Sequence, residues 1–323
     1  MDTPPLSPLG NPVGLVELSA VIVAVTDEEP RVLAVRDGSA LPSGPLEAGH
    51  RTLELGLRGW VEARTHHPLG YVEQLYTFAD RDRMQDTGGP AISLSYLALT
   101  REAPAFGEAG AGWINWYRYF PWEDWRGGQP AMFEQEILPR LGNWQLEPED
   151  AAERRQRAQR ISVAFGPKEK NQKDKAWNED LVLQRYELLF EAGLVQEATR
   201  HRAIPPERLL SHPGQAMVHD HRRILATGLS RLRAKIKYRP VVFELMPGSF
   251  TLLQLQRTVE ALAGRRLHKQ NFRRFIAQEG LVEETGQVRT ETGGRPARLV
   301  RFRRDVLAER AVGGTRLPLA RSA

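Results

Sequence analysis

The sequence predicts an α+β chain: a strand-rich amino-terminal unit followed by a small basic helical module. Three observations carry that expectation. Residues 15–100 alternate apolar and polar side chains in several short runs, the period of half-buried strands, with one helical run among them. Phe250–Phe302 parses as helix, tight turn, basic helix and two strands around a glycine-rich loop. Charge is also divided. Residues 231–310 hold 18 Lys/Arg against 8 Asp/Glu, a balance of +10, whereas residues 1–230 hold 25 against 32, a balance of −7. The formal net charge of +5 over 323 residues hides that division.

Val16–Val25 and Arg31–Val35 form a predicted hairpin bridged by the acidic turn Asp27–Pro30. The loop LPSGPLEAGH leads into a helix from about Thr52, a suitable N-cap, to Arg64, with Leu53, Leu57, Trp60 and Val61 on its apolar side. Tyr71–Phe78 and Ile92–Leu99 alternate as two further strands. The aromatic run Trp113–Trp125 holds four of the seven Trp and reads as a strand, then a turn at Pro121. Rings at that density fill a core or cover a joint between domains. Ile161–Phe165 reads as a strand and the lysine-rich stretch 166–180 as a loop. Leu181–Leu194 reads as a helix closed by Gly193, and 202–214 as a connector. Gln215–Tyr238 is expected to be one long amphipathic helix, suited to link the two halves or to pair with its twin in a dimer.

Arg239-Pro240 marks a boundary, and Val241–Leu245 is the expected first strand of the basic module. In its first helix Leu252, Leu255, Val259 and Leu262 share one face, and Ala263-Gly264 ends it. The second, His268 to Gln278, is expected to bury Phe272, Phe275 and Ile276 while turning Lys269, Gln270, Asn271, Arg273 and Arg274 outward. Leu281–Glu284 and Arg298–Phe302 are strands around a loop containing Gly293-Gly294-Arg295-Pro296. This is the outline of a winged helix-turn-helix, a module that reads duplex DNA. Concentrating the basic excess there is what phosphate neutralisation and counterion release require. Gln270, Asn271, Arg273 and Arg274 are the candidates for base edges, and Lys269 for a phosphate. Arg295, at the wing tip, is placed to enter the minor groove or grip the backbone.

The apolar and charged fractions, 41% and 26%, are those of ordinary globular chains. No run of about 18 apolar residues suggests a membrane span, and the start MDTPPLSPLGNPVG has no export-signal pattern. The absence of cysteine rules out disulfides and thiolate metal sites, and fits a cytoplasmic protein.

The helix at 52–64 and its preceding loop resemble the signature of Nudix hydrolases, in which a glycine precedes a glutamate and then an Arg-Glu-apolar-x-Glu-Glu-x-Gly run. Aligned on Gly44, this chain has His50 at the first acid, Arg58 at the Arg, Gly59 at the next Glu, and Trp60 at the apolar position. Glu62 stands at the penultimate acid, Ala63 at the last and Thr65 at the closing Gly, so three of four acids are missing. Hydrolysis in that fold relies on carboxylates that hold divalent ions, and Glu62 alone cannot hold two or three of them. Gly59 lowers helix propensity by about 0.8–1 kcal/mol relative to Ala, so no catalytic group replaced that acid. Glu54, Arg58 and Glu62 sit one turn apart and read as a solvated ion-pair row. The flanks ALPSG, YVEQLYTFADRDR and AISLSYLAL resemble the ADP-ribose branch of the fold, which implies a substrate loop containing Asp80 and Arg83.

A Nudix-like unit with a degraded box, fused to a winged helix with the runs HKQNFRRFI and GRPARLVRFR, resembles the Nudix-related transcriptional regulators of NAD metabolism. That resemblance covers about the first 100 and the last 80 residues. It implies an α/β/α sandwich with a mixed sheet, an ADP-ribose-like nucleotide as effector with no required cofactor, a double-stranded DNA operator, a homodimer and repression. Arg58, Glu62, Asp80 and Arg83 become its ligand-binding candidates. The expected organisation is frayed ends at 1–14 and 311–323, a Nudix-like sensing domain at 15–150, a helical extension and linker at 151–238, and the winged domain at 239–310. The alternative is a pyrophosphatase acting on ADP-ribose or a related nucleoside diphosphate derivative, with Glu47, Glu54, Glu62 and Glu73 as recruited metal ligands.

Overall fold

A computed structural model describes residues 15–47, 49, 51–65, 69–79, 91–102, 110–166, 177–200, 202–237, 239–289 and 296–303. The expected frayed ends, His50, the substrate-loop residues Asp80 and Arg83, most of the lysine-rich loop and Arg295 lie outside them.

Six strands form one mixed sheet. β1 (Leu15–Thr26) and β2 (Glu29–Ala34) are the predicted hairpin, paired antiparallel from Val23↔Val32 to Thr26↔Glu29. The two-residue turn puts Asp27 and Glu28 at φ 51° and 62°, the twist that right-handed hairpins require. β3 (Ser43–Pro45) pairs with the start of β1. β4 (Tyr71–Phe78) pairs antiparallel with β5 (Ala91–Leu99), and β5 runs parallel to β1, giving the order β4-β5-β1-β2-β6, where β6 is Gly112–Asn115.

Helices cover both faces. α1 (Leu53–Thr65) starts where Thr52 Oγ1 accepts the Leu55 N–H at 3.2 Å, the cap expected from sequence. Its Leu57, Trp60 and Val61 pack on Leu18, Ala20, Ile22, Leu33, Tyr96 and Ala98. The opposite face is not covered by a neighbour in sequence. α2 (Leu138–Leu146), α3 (Ala151–Phe165) and α4 (Val182–Glu191) form a helical layer around α5 (His221–Ile236), and α5 lies on the sheet. Leu225 and Leu229 join Val21, Val23, Leu97 and Leu99 in one core. Gly228 sits so close that a Cβ there would lie 2.9 Å from Val21 Cγ1. The α/β/α sandwich implied by the resemblance is therefore completed by a helix more than a hundred residues downstream of the sheet.

Several expectations are corrected. Ile161–Phe165 is the end of α3, because Asp150 caps a helix that runs unbroken from Ala151. The helix expected from Gln215 starts only at His221: Gly214 and His219 have positive φ, and the amides of Gln215 and Val218 bond to Arg118 O and Ser39 O instead of continuing a helix. α5 does link the two units, through Arg233 to Leu262 O at 2.9 Å, but it does not offer its apolar stripe to a twin, since that stripe is buried within the chain. Val241–Leu245 is a 3-10 turn after Pro240, not a strand. The wing instead gains a single bridge from Phe250 to Val300, and Phe243 stacks on Phe302 at 4.1 Å. The aromatic run keeps only β6 as strand and continues as two 3-10 turns, with Trp116 and Trp122 fully buried as core filling. Among the described residues no helix is long and apolar enough to cross a membrane.

Candidate nucleic-acid interface

The carboxy-terminal module consists of α6 (Leu252–Ala263), α7 (Lys269–Gln278), β7 (Val282–Arg289) and β8 (Ala297–Phe302). Thr251 and Gln254 form a reciprocal capping box at the start of α6. Gly264 ends the helix at φ 73°, a left-handed position that suits only residues without Cβ strain. Glu260, 1% exposed, then shapes the turn to α7. Its carboxylate accepts the Leu267 N–H at 2.9 Å, Gln256 Nε2 at 2.8 Å, and Nη1 of Arg257 and Arg266 at 3.0 and 2.9 Å. Burial pushes its pKa up, and those donors more than offset the push, leaving it below the ordinary 4.5.

α7 is anchored by Phe272 and Ile276, one turn apart. Phe275, expected inside, is 49% exposed, because it stands one residue off that stripe and about 100° around the helix. Lys269, Gln270, Asn271, Arg273 and Arg274 are all exposed, as the pattern required. Gln270, Arg273 and Arg274 fall on one outward stripe. Asn271 lies a turn before Phe275, and both line a groove of about 680 Å³ against Pro240, Val242 and Phe243. At ten residues α7 is about 15 Å long, and a B-DNA major groove about 12 Å wide admits a helix.

The cations of this module are sorted. Arg257 and Arg266 pair with Glu260, Arg265 with Glu179, Arg298 with Glu284, and Arg301 with Glu283. Lys269, Arg273 and Arg274 have no acidic partner within 4 Å among the described residues; Arg274 makes one 3.4 Å contact with Asn271. Uncompensated charge gathered on one exposed helix face is what a polyanion would neutralise.

The amino-terminal candidates fall on α1. Arg58 donates to Glu54 at 2.9 Å and to the carbonyls of Leu69 and Gly70 at 2.6 and 3.1 Å, tying α1 to the start of β4. Glu62 is exposed one turn further on. Glu73, a recruit for the enzymatic alternative, is bound instead by Lys235 and Tyr71 on the opposite face of the sheet from α1. Among the described residues no group of three His, Asp or Glu side chains is placed to hold a metal ion.

The aromatic run was read as filling a core or covering a joint, but the polar residues that make the joint between the two units were not reached by sequence reasoning. Glu123, fully buried, accepts from Arg185 at 2.5 and 2.9 Å and from Arg233 at 2.6 Å. Arg233 Nε also donates to Leu262 O, the Tyr117 hydroxyl to Ala261 O, and the Trp125 N–H to Gly264 O, at 2.9, 2.7 and 2.7 Å. Three donors from the sheet-bearing unit thus satisfy the last carbonyls of α6. Burial pushes the phenols of Tyr117 and Tyr119 up, Tyr119 to about 12, so both remain donors. The crowded tryptophans around 116–125 were the available signal.

Residues 242–302 match the family model described as the NrtR DNA-binding winged helix domain. A stretch of 86 residues, 27% of the chain, is 41% identical to the ADPR responsive transcriptional repressor NtrR of Acinetobacter baylyi and spans about a third (34%) of that protein's length. The fold is similar to that of Shewanella oneidensis NrtR complexed with a 27mer DNA, at TM-score 0.52 and 20% identity, covering 91% of this chain and 95% of that one. It is also similar to a MutT/nudix family protein from Enterococcus faecalis, at TM-score 0.51 and 15% identity, covering 94% and 90%. The chain is thus a Nudix-like mixed-sheet unit joined to a winged helix.

Proposed function

We propose that this protein is a transcriptional repressor that binds a double-stranded DNA operator through α7 and responds to an ADP-ribose-like nucleotide through its Nudix-like unit. The observation that carries the reading is the exposed trio Lys269, Arg273 and Arg274, unpaired on the second helix of a segment that matches a DNA-binding family model. The curated relative's name supplies the nature of the effector and the sign of regulation. Control of genes of NAD metabolism, a cytoplasmic location and a homodimer on a palindromic operator belong to the same proposal.

In this mechanism α7 enters the major groove. Gln270 and Arg273 or Arg274 address base edges, Asn271 contributes from the flank, and Lys269 holds a phosphate. Arg295 extends the contact from the wing. Arg58, Glu62, Asp80 and Arg83 remain the candidates around the nucleotide. We assign no hydrolytic step: Glu62 and Glu73 lie on opposite faces of the sheet and cannot share a metal ion.

A gel-shift titration on the chain's own promoter, at near-physiological salt with nonspecific competitor, tests the reading. A specific complex is expected, weakened by ADP-ribose, and reciprocity requires operator DNA to weaken ADP-ribose binding by the same factor. Absence of any specific complex would overturn the assignment.

A further inference from the structure

Two tyrosines, two residues apart, bond to different units of the chain. The Tyr119 hydroxyl donates to Gly38 O at 2.7 Å, and the Tyr117 hydroxyl donates to Ala261 O at 2.7 Å. Gly38 belongs to loop 36–41, which leads directly into the ALPSG run before the degraded box. Ala261 is in the last turn of α6, whose carbonyl end fixes where α7 begins. Both rings are buried, and both stand at the single short 3-10 turn Trp116–Arg118 and its C-cap Tyr119.

Each end is held by more than a tyrosine. Loop 36–41 has Arg36, Asp37 and Gly38 in succession at φ 51°, 56° and 86°, a conformation that persists only where surroundings impose it. Gln215 Nε2 donates to Asp37 O at 3.3 Å, the Val218 N–H to Ser39 O at 2.8 Å, and the Leu41 N–H to His221 Nδ1 at 2.9 Å. At the other end Arg233 donates to Leu262 O and to the Tyr117 hydroxyl, at 2.9 and 3.3 Å. Arg222, near the start of α5, donates to Tyr119 O. The two ends therefore share α5 as well as the 3-10 turn: His221 and Arg222 serve the loop end, and Arg233, three turns later, serves α6.

We propose that Tyr117 and Tyr119 are positioning residues that couple loop 36–41 to the carboxy-terminal end of α6, so that displacing the loop displaces the DNA-reading helix pair. The physiological use of that coupling rests on reading the amino-terminal unit as the effector-sensing part; the coupling itself does not. A nucleotide that shifts the loop in front of the box would act on α6 through three residues of chain and two hydroxyl groups. No motion of the winged domain as a separate body is needed.

The test is amide hydrogen exchange on the full chain without nucleotide or DNA, comparing wild type with Tyr119→Phe and Tyr117→Phe. Each variant deletes one hydroxyl and keeps the ring that fills the core. Tyr119→Phe is expected to raise exchange by about threefold or more in peptides covering 36–41 and also in peptides covering 260–268. Tyr117→Phe should do the same in the reverse direction, with peptides covering 151–165 unchanged in both. Exchange that rises only at the end whose hydroxyl was removed overturns the coupling. So does a uniform rise that includes 151–165, which would mark general destabilisation. Since neither ligand is present, this outcome is independent of whether the chain recognises ADP-ribose or an operator.

Discussion

Glu260 concentrates much of the helix-turn-helix geometry in one carboxylate, and its protonation state is linked to stability. Its folded pKa is depressed below 4.5, so its contribution is present above that value and is lost as pH falls through the lower folded value. The urea midpoint of the chain is expected to drop on acidification below 4.5. In Glu260→Gln the neutral-pH midpoint should be lower and the acid fall shallower. An equally steep fall in the variant would remove Glu260 from the linkage. Gly264 is constrained twice, by φ 73° and by space, because a Cβ there would lie 2.4 Å from Glu123 O. Gly264→Ala is expected to cost more than about 2 kcal/mol in denaturant titration, the left-handed strain alone accounting for about 1–2. A cost below the strain value would show that the joint yields readily.

Among the elements, α7 separates a buried anchoring face, Phe272 and Ile276, from an exposed polar face. Arg273→Ala is expected to weaken binding on all sequences and to flatten the log–log salt dependence by about one if Arg273 meets a phosphate. If it meets a base, the loss falls on the specific site, by about 1–3 kcal/mol. Gln270→Ala should relax discrimination at one base pair with little change in the salt slope. Equal salt slopes and equal specificity in both variants would move the interface off this helix. The elements most legible in sequence were those whose period and punctuation agree: the β1–β2 hairpin with its acidic turn, α1 with Thr52, and α6 with Gly264. Where sequence reading failed, the local pattern was compatible with two structures. Ile161–Phe165 is a five-residue apolar run that suits either a strand or the last turn of a helix, and the Asp150 cap decides it from eleven residues upstream. The stripe on α5 announced a buried face but not its partner, since period alone does not say which surface a helix covers. Phe275 shows the same limit on a single side chain.

In the whole molecule the charge division acquires a geometry. Within the basic module, cations near the joint are paired with Glu28, Glu179 and Glu260, while those on α7 are left without acids. Net charge read from composition therefore marks the basic module, and pairing shows that the cations of α7 are the ones without acidic partners among the described residues. The pairing was invisible in sequence, because Glu28 and Arg257 are separated by more than two hundred residues. The same scale bears on catalysis. With the acids of α1 reduced to Glu54 and Glu62, and Glu73 held by Lys235 across the sheet, incubation with ADP-ribose and Mg²⁺ is expected to release AMP at the rate of buffer alone. Turnover above that rate, lost in Glu62→Gln, would restore the pyrophosphatase reading.

The carbonyls at the end of α6 find their donors in Tyr117, Trp125 and Arg233, outside the segment that a family model delimits as a domain. The winged helix is accordingly a poor cassette. Excised at 239–303, it should melt at a lower temperature than the same helices do within the full chain, each orphaned acceptor costing about 1 kcal/mol unless water replaces the donor. Chimaeras made by grafting it onto another amino-terminal unit would need matching groups rebuilt on the host, so the practical crossover point for such engineering lies before β6, not at Pro240.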